Sequence, residues 1–383
     1  MGKSKEYIII SGLNLRDNNR GTAALGYGSV SFLFEKGFLK PGMKLLNLCP
    51  YKNFLKQRNL KNVTEVISSD GIEWTHTTLS VFFLEWWLLY KCGIRLPWTP
   101  CGRAIKRTKC VAAINGGDGF SDIYNTHTFF SRLYDTWIAM KRNIPIVILP
   151  QTIGPFELKS NRNVADEILK YAEKIYVRDD KFVTELQTMG LEYEITKDLS
   201  YYMKPQPGNV EVVPGSIGIN VSGLAYSNKF RTLSGQFEAY PELIDHLITR
   251  FQELGKIVYL IPHSYNYLYP EYANDDMEAC QATYNRLKDK TNVIFINKDL
   301  TSPQVKFVIS KMSFFIGTRM HANFAAIYTG VPLFGLAYSY KFEGAFRENG
   351  VFDDNVEMIN NIKKENIKGI IDKVESFYYK SCH

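Results

Sequence analysis

The chain has 383 residues, enough for two domains with complete cores. Its 45% hydrophobic and 22% charged content is ordinary for a globular protein, and a net charge of +7 suits an anionic substrate or an anionic membrane surface. The basic residues lack the dense clustering of a nucleic-acid binder, and the six cysteines form no C-x-x-C pair, which argues against a zinc knuckle and for a reducing, cytoplasmic setting.

Met1–Glu6 leads into a short apolar run, read as a first strand (Tyr7 to Ser11) rather than a signal peptide. Glu6 stands where N-myristoylation needs Ser or Thr. A polar Gly/Asn loop, Gly12 to Thr22, opens a helix over roughly Ala23 to Glu35. The G-x-G-x-x-G spacing is absent, so this loop specifies no nucleotide. Leu45 to Leu48 is a second strand.

Residues 77–98 hold Phe82, Phe83, Trp86, Trp87 and Tyr90 around Glu85, too short a run to span a membrane. Arg95, Arg103, Lys106, Arg107 and Lys109 follow. Two readings stay open: a domain-packing helix, or peripheral membrane contact through residues 81–109.

The strand Val111 to Ile114 runs into Asn115-Gly116-Gly117-Asp118-Gly119, where glycines let backbone approach a ligand and Asp118 and Asp122 reach the sheet edge. A helix near Phe129 to Lys141 leads to the strand Pro145 to Leu149, closed by the rigid turn Pro150 to Phe156 with the amide of Gln151 and the hydroxyl of Thr152. After a helix at about Val164 to Ala172, the strand Lys174 to Val177 ends in Arg178, and Asp179 is placed to cap a helix running to Met189. Such alternation is the βαβ pattern of a parallel sheet.

Lys204-Pro205-Gln206-Pro207-Gly208 reads as the linker, giving domains at 1–205 and 206–383. The second half repeats the pattern. Strands are expected at Ile217 to Val221, Ile257 to Ile261 (ending in Pro262-His263) and Val293 to Ile296, with helices from Leu243, from the Asn274-Asp275-Asp276 cap, from Ser302 and over Asn361 to Tyr379. The expected fold class is α/β, two Rossmann-like domains facing a cleft.

Phe314 to Gly317 is a buried strand, and Thr318-Arg319-Met320-His321 is the turn into a helix. A helix start beyond a strand's carboxyl end favours an anion. Leu333 to Ala337, followed by Tyr338-Ser339-Tyr340-Lys341, delivers another cation to that edge. From position alone, Arg319 and His321 read equally well as structural residues.

The series Asn115–Asp118, Pro150–Phe156, Val177–Asp179, Ile261–His263, Arg319–Ala322 and Tyr338–Lys341 resembles the polysaccharide pyruvyl transferase family from Asn19-Arg20-Gly21 to about Gly344. Gly21-Thr22 stands where family members often carry Gly-Asp. The resemblance implies a GT-B-like fold and transfer of pyruvate from phosphoenolpyruvate to two hydroxyls of a sugar, such as a galactose in a polysaccharide or lipid-linked unit. A cyclic ketal forms and phosphate leaves. The first domain would face the saccharide acceptor and the second phosphoenolpyruvate, with no cofactor and no metal. On that reading Arg319, Arg178 and Lys341 hold the anionic donor, since an Arg fork binds phosphate or carboxylate through two hydrogen bonds. His321 is the acid/base or phosphate partner, His263 the second candidate, and Asp118 a base toward the sugar hydroxyls. Gly117, Gln151, Thr152 and Ser339 complete the substrate-binding set. The alternatives are a GT-B glycosyltransferase using a nucleotide-sugar and a non-catalytic glycan-binding subunit.

Overall fold

A computed structural model describes residues 6–51, 62–113, 117, 119–123, 125–180, 183–265, 271–338, 342, 346–347, 349 and 353–382. The chain divides into two compact units. The first comprises Met1–Leu15 and Leu25–Met203, the second Arg16–Ala24 and Lys204–His383. The Pro-rich stretch at 204–208 thus begins the second unit. The short segment Arg16–Ala24 departs from the expected division and clusters with the second unit.

The first unit is built on β1 (Tyr7–Ser11), β2 (Lys44–Tyr51), β3 (Val63–Ser69), β4 (Ile72–Phe82), β5 (Thr108–Ala113), β6 (Ile146–Gln151), β7 (Lys174–Val177) and β8 (Glu194–Ile195). They form one sheet in the order β3-β4-β2-β1-β5-β6-β7-β8. Ile9, Val111, Ile146 and Ile148 pack on one face of it, and Ile8, Ile10, Cys110, Ala112 and Val147 on the other. Both faces being apolar is what turns these strands into unbroken hydrophobic runs and makes the sheet parallel. The exception is β3, which pairs antiparallel with β4. Asp70-Gly71, at φ 55° and 73°, makes the tight hairpin turn, a pairing the sequence reading overlooked.

Residues 77–82 of the aromatic stretch belong to β4, and a short helix Phe83–Trp87 continues into a π-helical turn, Leu88–Cys92. Trp86 is buried, stacked on Tyr90 with ring centres 5.2 Å apart. Leu84, Trp87, Ile94 and Trp98 stay exposed, Trp98 by 70%. The stretch therefore packs through Trp86 and Leu89 and also leaves apolar side chains in solvent. Among the described residues no helix is long and apolar enough to cross a membrane.

The second unit carries β9 (Ile217–Asn220), β10 (Val258–Leu260), β11 (Val293–Phe295), β12 (Phe314–Gly317), β13 (Leu333–Ala337) and β14 (Val356–Met358). The order is β11-β10-β9-β12-β13-β14, and every pairing is parallel. From β9 the chain runs outward through β10 and β11, then returns to lay β12 on the other side of β9. That reversal is a topological switch point, where ligands of open α/β sheets bind beyond the carboxyl ends of the strands.

Candidate active site

At the switch point of the second unit a carboxylate organises the edge. Asp276, the first residue of the helix Asp276–Arg286, is fully buried. It accepts hydrogen bonds from the backbone N–H of Gly223 (2.8 Å) and His263 (3.1 Å) and from the amide of Asn220 (3.2 Å). It also accepts from Arg319 Nε (3.1 Å) and Nη2 (2.6 Å). Four segments that meet only in the folded chain are thereby joined: the ends of β9, β10 and β12 and the start of this helix. Asp275 takes the N-cap role, accepting from the N–H of Met277 and Glu278, which leaves Asp276 to face inward.

Arg319, two residues beyond β12, has extended backbone and serves as N-cap residue of the helix Met320–Ile327. Its N–H donates to Asn220 Oδ1 (2.9 Å), and Nη2 also donates to the Asn274 carbonyl (3.1 Å). Burial alone lowers the affinity of its guanidinium for a proton, but the Asp276 charge outweighs that and raises it. The cation is therefore fixed, and Nη1 takes part in none of these bonds. Thr318 is held by Tyr240, hydroxyl to hydroxyl at 2.8 Å. Asn323 donates to the Gly317 carbonyl (3.0 Å), and its Oδ1 sits where a Cβ on Gly317 would be.

His263 is 3% exposed, and its pKa lies well below the usual value. Burial is the largest cause, followed by the charges of His321, Arg319 and Arg20. The ring is neutral near pH 7, which suits a hydrogen-bond partner or base better than an acid. His321 lies in the first turn of the helix after Arg319, half-buried, edge-on to Phe324 at 5.6 Å. The backbone of Gly21 lies against its imidazole: a Cβ there would be 2.5 Å from Nδ1. Gly21 is set in place by its neighbours. Asn19 bridges to Ser264, and Arg20 N–H donates to the His263 carbonyl (3.1 Å). The Arg20 side chain donates to the Leu300 carbonyl (2.6 Å), pairs with Asp299 and lies 4.4 Å from the centre of the Tyr265 ring.

In the first unit a second group forms at the ends of β6 and β7. Arg178 donates from Nη1 to Asp198 (2.9 Å) and from Nε to Thr152 Oγ1 (3.1 Å), with Asp179 at 3.5 Å. Thr152 Oγ1 donates to Asp179, which joins that carboxylate to this group; residues 181 and 182, where a cap on the following helix would be read, lie outside the described residues. Gly117 sits at φ +82° with its carbonyl accepting from Thr152 N–H (2.8 Å), and a Cβ on it would be 3.1 Å from Arg178 Nη1. Gln151 is fully buried and donates to the Ala113 carbonyl (2.9 Å). Asp122, nearby in sequence, is a structural carboxylate. Burial would raise its pKa, but the N–H groups of Glu157 and Leu158 and the amide of Asn161 bring it below the usual value.

Gly117, Gln151, Thr152 and Arg178 thus gather in the first unit, and His263, Arg319 and His321 in the second. Asp118, Ser339 and Lys341 lie outside the described residues. The sequence reading missed Asp276, Asn220, Arg20 and Asn323. Only the doubled Asp275-Asp276 carried a signal, since one carboxylate suffices for a cap. Among the described residues no three His, Cys, Asp or Glu side chains are grouped to hold a metal ion.

A sequence model of the family described as polysaccharide pyruvyl transferase matches residues 49–340. No curated protein matches significantly. Among solved structures, a putative UDP-N-acetylglucosamine 2-epimerase from Listeria monocytogenes is similar, with a TM-score of 0.53 at 9% identity, over 99% of this chain and 91% of that one. A UDP-GlcNAc 2-epimerase from Methanocaldococcus jannaschii also has a TM-score of 0.53, at 10% identity over 99% and 93%. These likenesses concern the fold, which is GT-B-like, with two parallel-sheet domains.

Proposed function

Because the chain belongs to the polysaccharide pyruvyl transferase family, we propose that it transfers pyruvate from phosphoenolpyruvate to two hydroxyls of a saccharide, giving a cyclic ketal and phosphate. The observation that carries the reading, beside the family match, is the buried Asp276–Arg319 pair at the switch point of the second sheet. A guanidinium fixed at a helix start is pre-organised for a phosphate or carboxylate, and the positive end of the helix dipole adds to it. On this reading Arg319, Lys341 and Ser339 serve to bind the donor. His321 delivers the proton that the vinyl carbon needs before oxygen attack. His263, neutral and beside it, is the second candidate for proton transfer. Arg178, held by Asp198 and Asp179, belongs with Gly117, Gln151 and Thr152 to the substrate-binding set of the first unit, where Asp118 acts as base toward the acceptor.

The test is phosphate release from phosphoenolpyruvate in the presence of galactosides and other saccharides, with UDP-glucose as the contrasting donor. Release that depends on acceptor and is lost in Arg319→Ala is expected. UDP release from the nucleotide-sugar with no phosphate from phosphoenolpyruvate, or an Arg319→Ala variant of unchanged activity, would count against pyruvyl transfer.

The acceptor is proposed to be lipid-linked and met at the inner face of the membrane. Exposed Leu84, Trp87, Ile94 and Trp98, close in sequence to Arg95 and Arg103, support that reading. Vesicles containing anionic lipid should pellet the protein, and Trp87→Ser/Trp98→Ser should reduce the pelleted fraction. Equal pelleting of both proteins removes the idea.

A further inference from the structure

The segment Arg16–Ala24 holds none of the residues assigned to the reaction, yet it touches both histidines of the second unit, to which it belongs. Asn19 makes an antiparallel bridge with Ser264, Tyr265 N–H donates to the Asn18 carbonyl (2.9 Å), and Arg20 N–H donates to the His263 carbonyl (3.1 Å). Residues 18–20 thus run antiparallel to 263–265. The Asn19 side chain turns back to accept from Gly21 N–H (3.0 Å). The Gly21 backbone is thereby set so close to His321 that a Cβ on it would be 2.5 Å from Nδ1 and 2.8 Å from Cγ. Only a residue without a side chain fits there.

Arg20 ties this strap down. It is 6% exposed, and each guanidinium nitrogen already donates: Nε to the Leu300 carbonyl (2.6 Å), Nη1 to the Asp17 carbonyl and Nη2 to Asp299. The Tyr265 ring covers the group at 4.4 Å. Ser302, at the start of the helix Ser302–Ile309, returns a bond from its hydroxyl to the Arg20 carbonyl (2.6 Å). Arg20 and residues 299–302 therefore hold each other reciprocally, while the bond to Asp17 closes the strap on itself. The Asp299 side chain is 65% exposed, so this ion pair contributes little by its charge; the two carbonyls are the fixed partners. Three directions at once suit a planar fork and not the point charge of a Lys.

We propose that Arg20 is a positioning residue for the reaction: by locking residues 17–21 it keeps the Gly21 backbone against His321 and so fixes the imidazole for the proton transfer assigned to it. The inference rests on the pyruvyl-transfer reading for what His321 does, and on contacts within the second unit alone for how the ring is placed. It gives Arg20 a task distinct from that of Arg319. The Arg319 guanidinium keeps Nη1 out of its bonds to Asp276 and Asn274 and can meet an anion. The Arg20 guanidinium, spent on carbonyls and stacked on Tyr265, acts through its neighbours.

His321 has need of such support. It lies half-buried in the first turn of the helix Met320–Ile327, and the helix fixes its Cα but not its ring. Phe324, edge-on at 5.6 Å, and the Gly21 backbone are two walls that restrict the ring. The first belongs to the same helix and moves with it. The second comes from a segment about 300 positions away and stays only while Arg20 and Ser302 hold it. Proton transfer demands hydrogen-bond reach, and a displacement of about 1 Å costs up to about 10²-fold in rate.

The test uses the whole protein, Arg20→Met, Arg20→Lys and Ser302→Ala, each checked for a cooperative thermal transition. Phosphoenolpyruvate affinity is read by calorimetry and kcat by phosphate release with methyl galactoside. The ring of His321 is followed by NMR of histidine-labelled protein, its signal among the six histidines identified by its loss in His321→Gln. Arg20→Met should lower kcat about 10–10²-fold and leave phosphoenolpyruvate affinity within about twofold, since Arg319 is untouched. Arg20→Lys keeps the charge and should not restore the rate. In both variants the His321 signal should move while that of His246, on the helix Tyr240–Glu253, stays. Ser302→Ala should move it the same way with a smaller loss of kcat. Wild-type kcat or an unmoved His321 signal in Arg20→Met, or in Ser302→Ala if Arg20→Met does not fold, overturns the proposal. So does a loss of phosphoenolpyruvate affinity as large as the loss of kcat, which would make Arg20 a support of the whole unit. If the wild type neither binds phosphoenolpyruvate nor releases phosphate, it is the pyruvyl-transfer reading that fails, and the His321 signal still decides whether Arg20 sets the ring.

Discussion

Replacing Asp276 by Asn tests whether the pair with Arg319 holds the carboxyl edge of the second sheet together. The side chains are 0% and 9% exposed, so the small values typical of solvated ion pairs do not apply. Breaking a buried pair by removing one partner costs about 3–5 kcal/mol, because the remaining charge is stranded. Asn keeps one carbonyl oxygen for the Gly223 or His263 N–H, which favours the lower half of that range. With about 2–4 °C per kcal/mol for a domain of this size, a loss of about 3 kcal/mol lowers the second unit's transition by about 6–12 °C. Differential scanning calorimetry reads it directly. The double variant Asp276→Asn/Arg319→Met removes both charges and should recover much of the loss, since coupled residues are non-additive. An Asp276→Asn transition within about 1 °C of wild type, well under the shift of even 1 kcal/mol, would show that the pair is not what joins these strands.

His263 gives a pH prediction. Its folded pKa lies below the unfolded value of about 6.5, so the unfolded chain binds the extra proton first; this contribution to stability is present above that pH and is lost as pH falls through it. Between pH 7 and 5 the wild type should lose about 2 kcal/mol more than His263→Gln, measured by urea unfolding at both pH values; parallel losses would refute a buried neutral ring. Gly21→Ala places a Cβ against His321 and should displace the imidazole at about 1–3 kcal/mol, lowering phosphate release while circular dichroism stays native; unchanged kcat would show that the ring's position is immaterial. Arg178→Met removes the ion-pair partner of the buried Asp198 and should destabilise the first unit by about 3 kcal/mol; a calorimetric transition like the wild type's would argue that the pair does not hold this edge together. Asp135→Asn should raise the first unit's stability at pH 7 by up to about 3 kcal/mol, because a carboxyl whose folded pKa is near 6 is ionised there at the expense of the fold; calorimetry showing no gain would mean the carboxyl is better solvated than its surroundings imply.

The parallel strands were legible because both sheet faces are apolar, which writes each strand as a continuous run such as Ile8-Ile9-Ile10 or Phe314-Phe315-Ile316. The turn into Arg319 was legible for the same reason, since a run that stops at a Gly marks a strand's end. The hairpin of β3 and β4 escaped because β3 leaves Val63 and Val66 exposed at the sheet edge, so its pattern lacks the buried run. The partners of the site residues were hidden more deeply. Arg319 was assigned to an anionic ligand because nothing in its own neighbourhood supplies a carboxylate; Asp276 stands 43 positions away.

The passage of Arg16–Ala24 into the second unit bears on how this chain can be divided. A fragment begun at Lys204, the natural cut by composition, would lack Arg20, whose guanidinium caps the Leu300 carbonyl and covers Tyr265. The backbone partners of His263 and Tyr265 would go with it, and Ser302 would lose the carbonyl it donates to. Neither autonomous expression of the C-terminal half nor its transplantation onto another N-terminal half is neutral: nine residues encoded at the opposite end of the gene must travel with it.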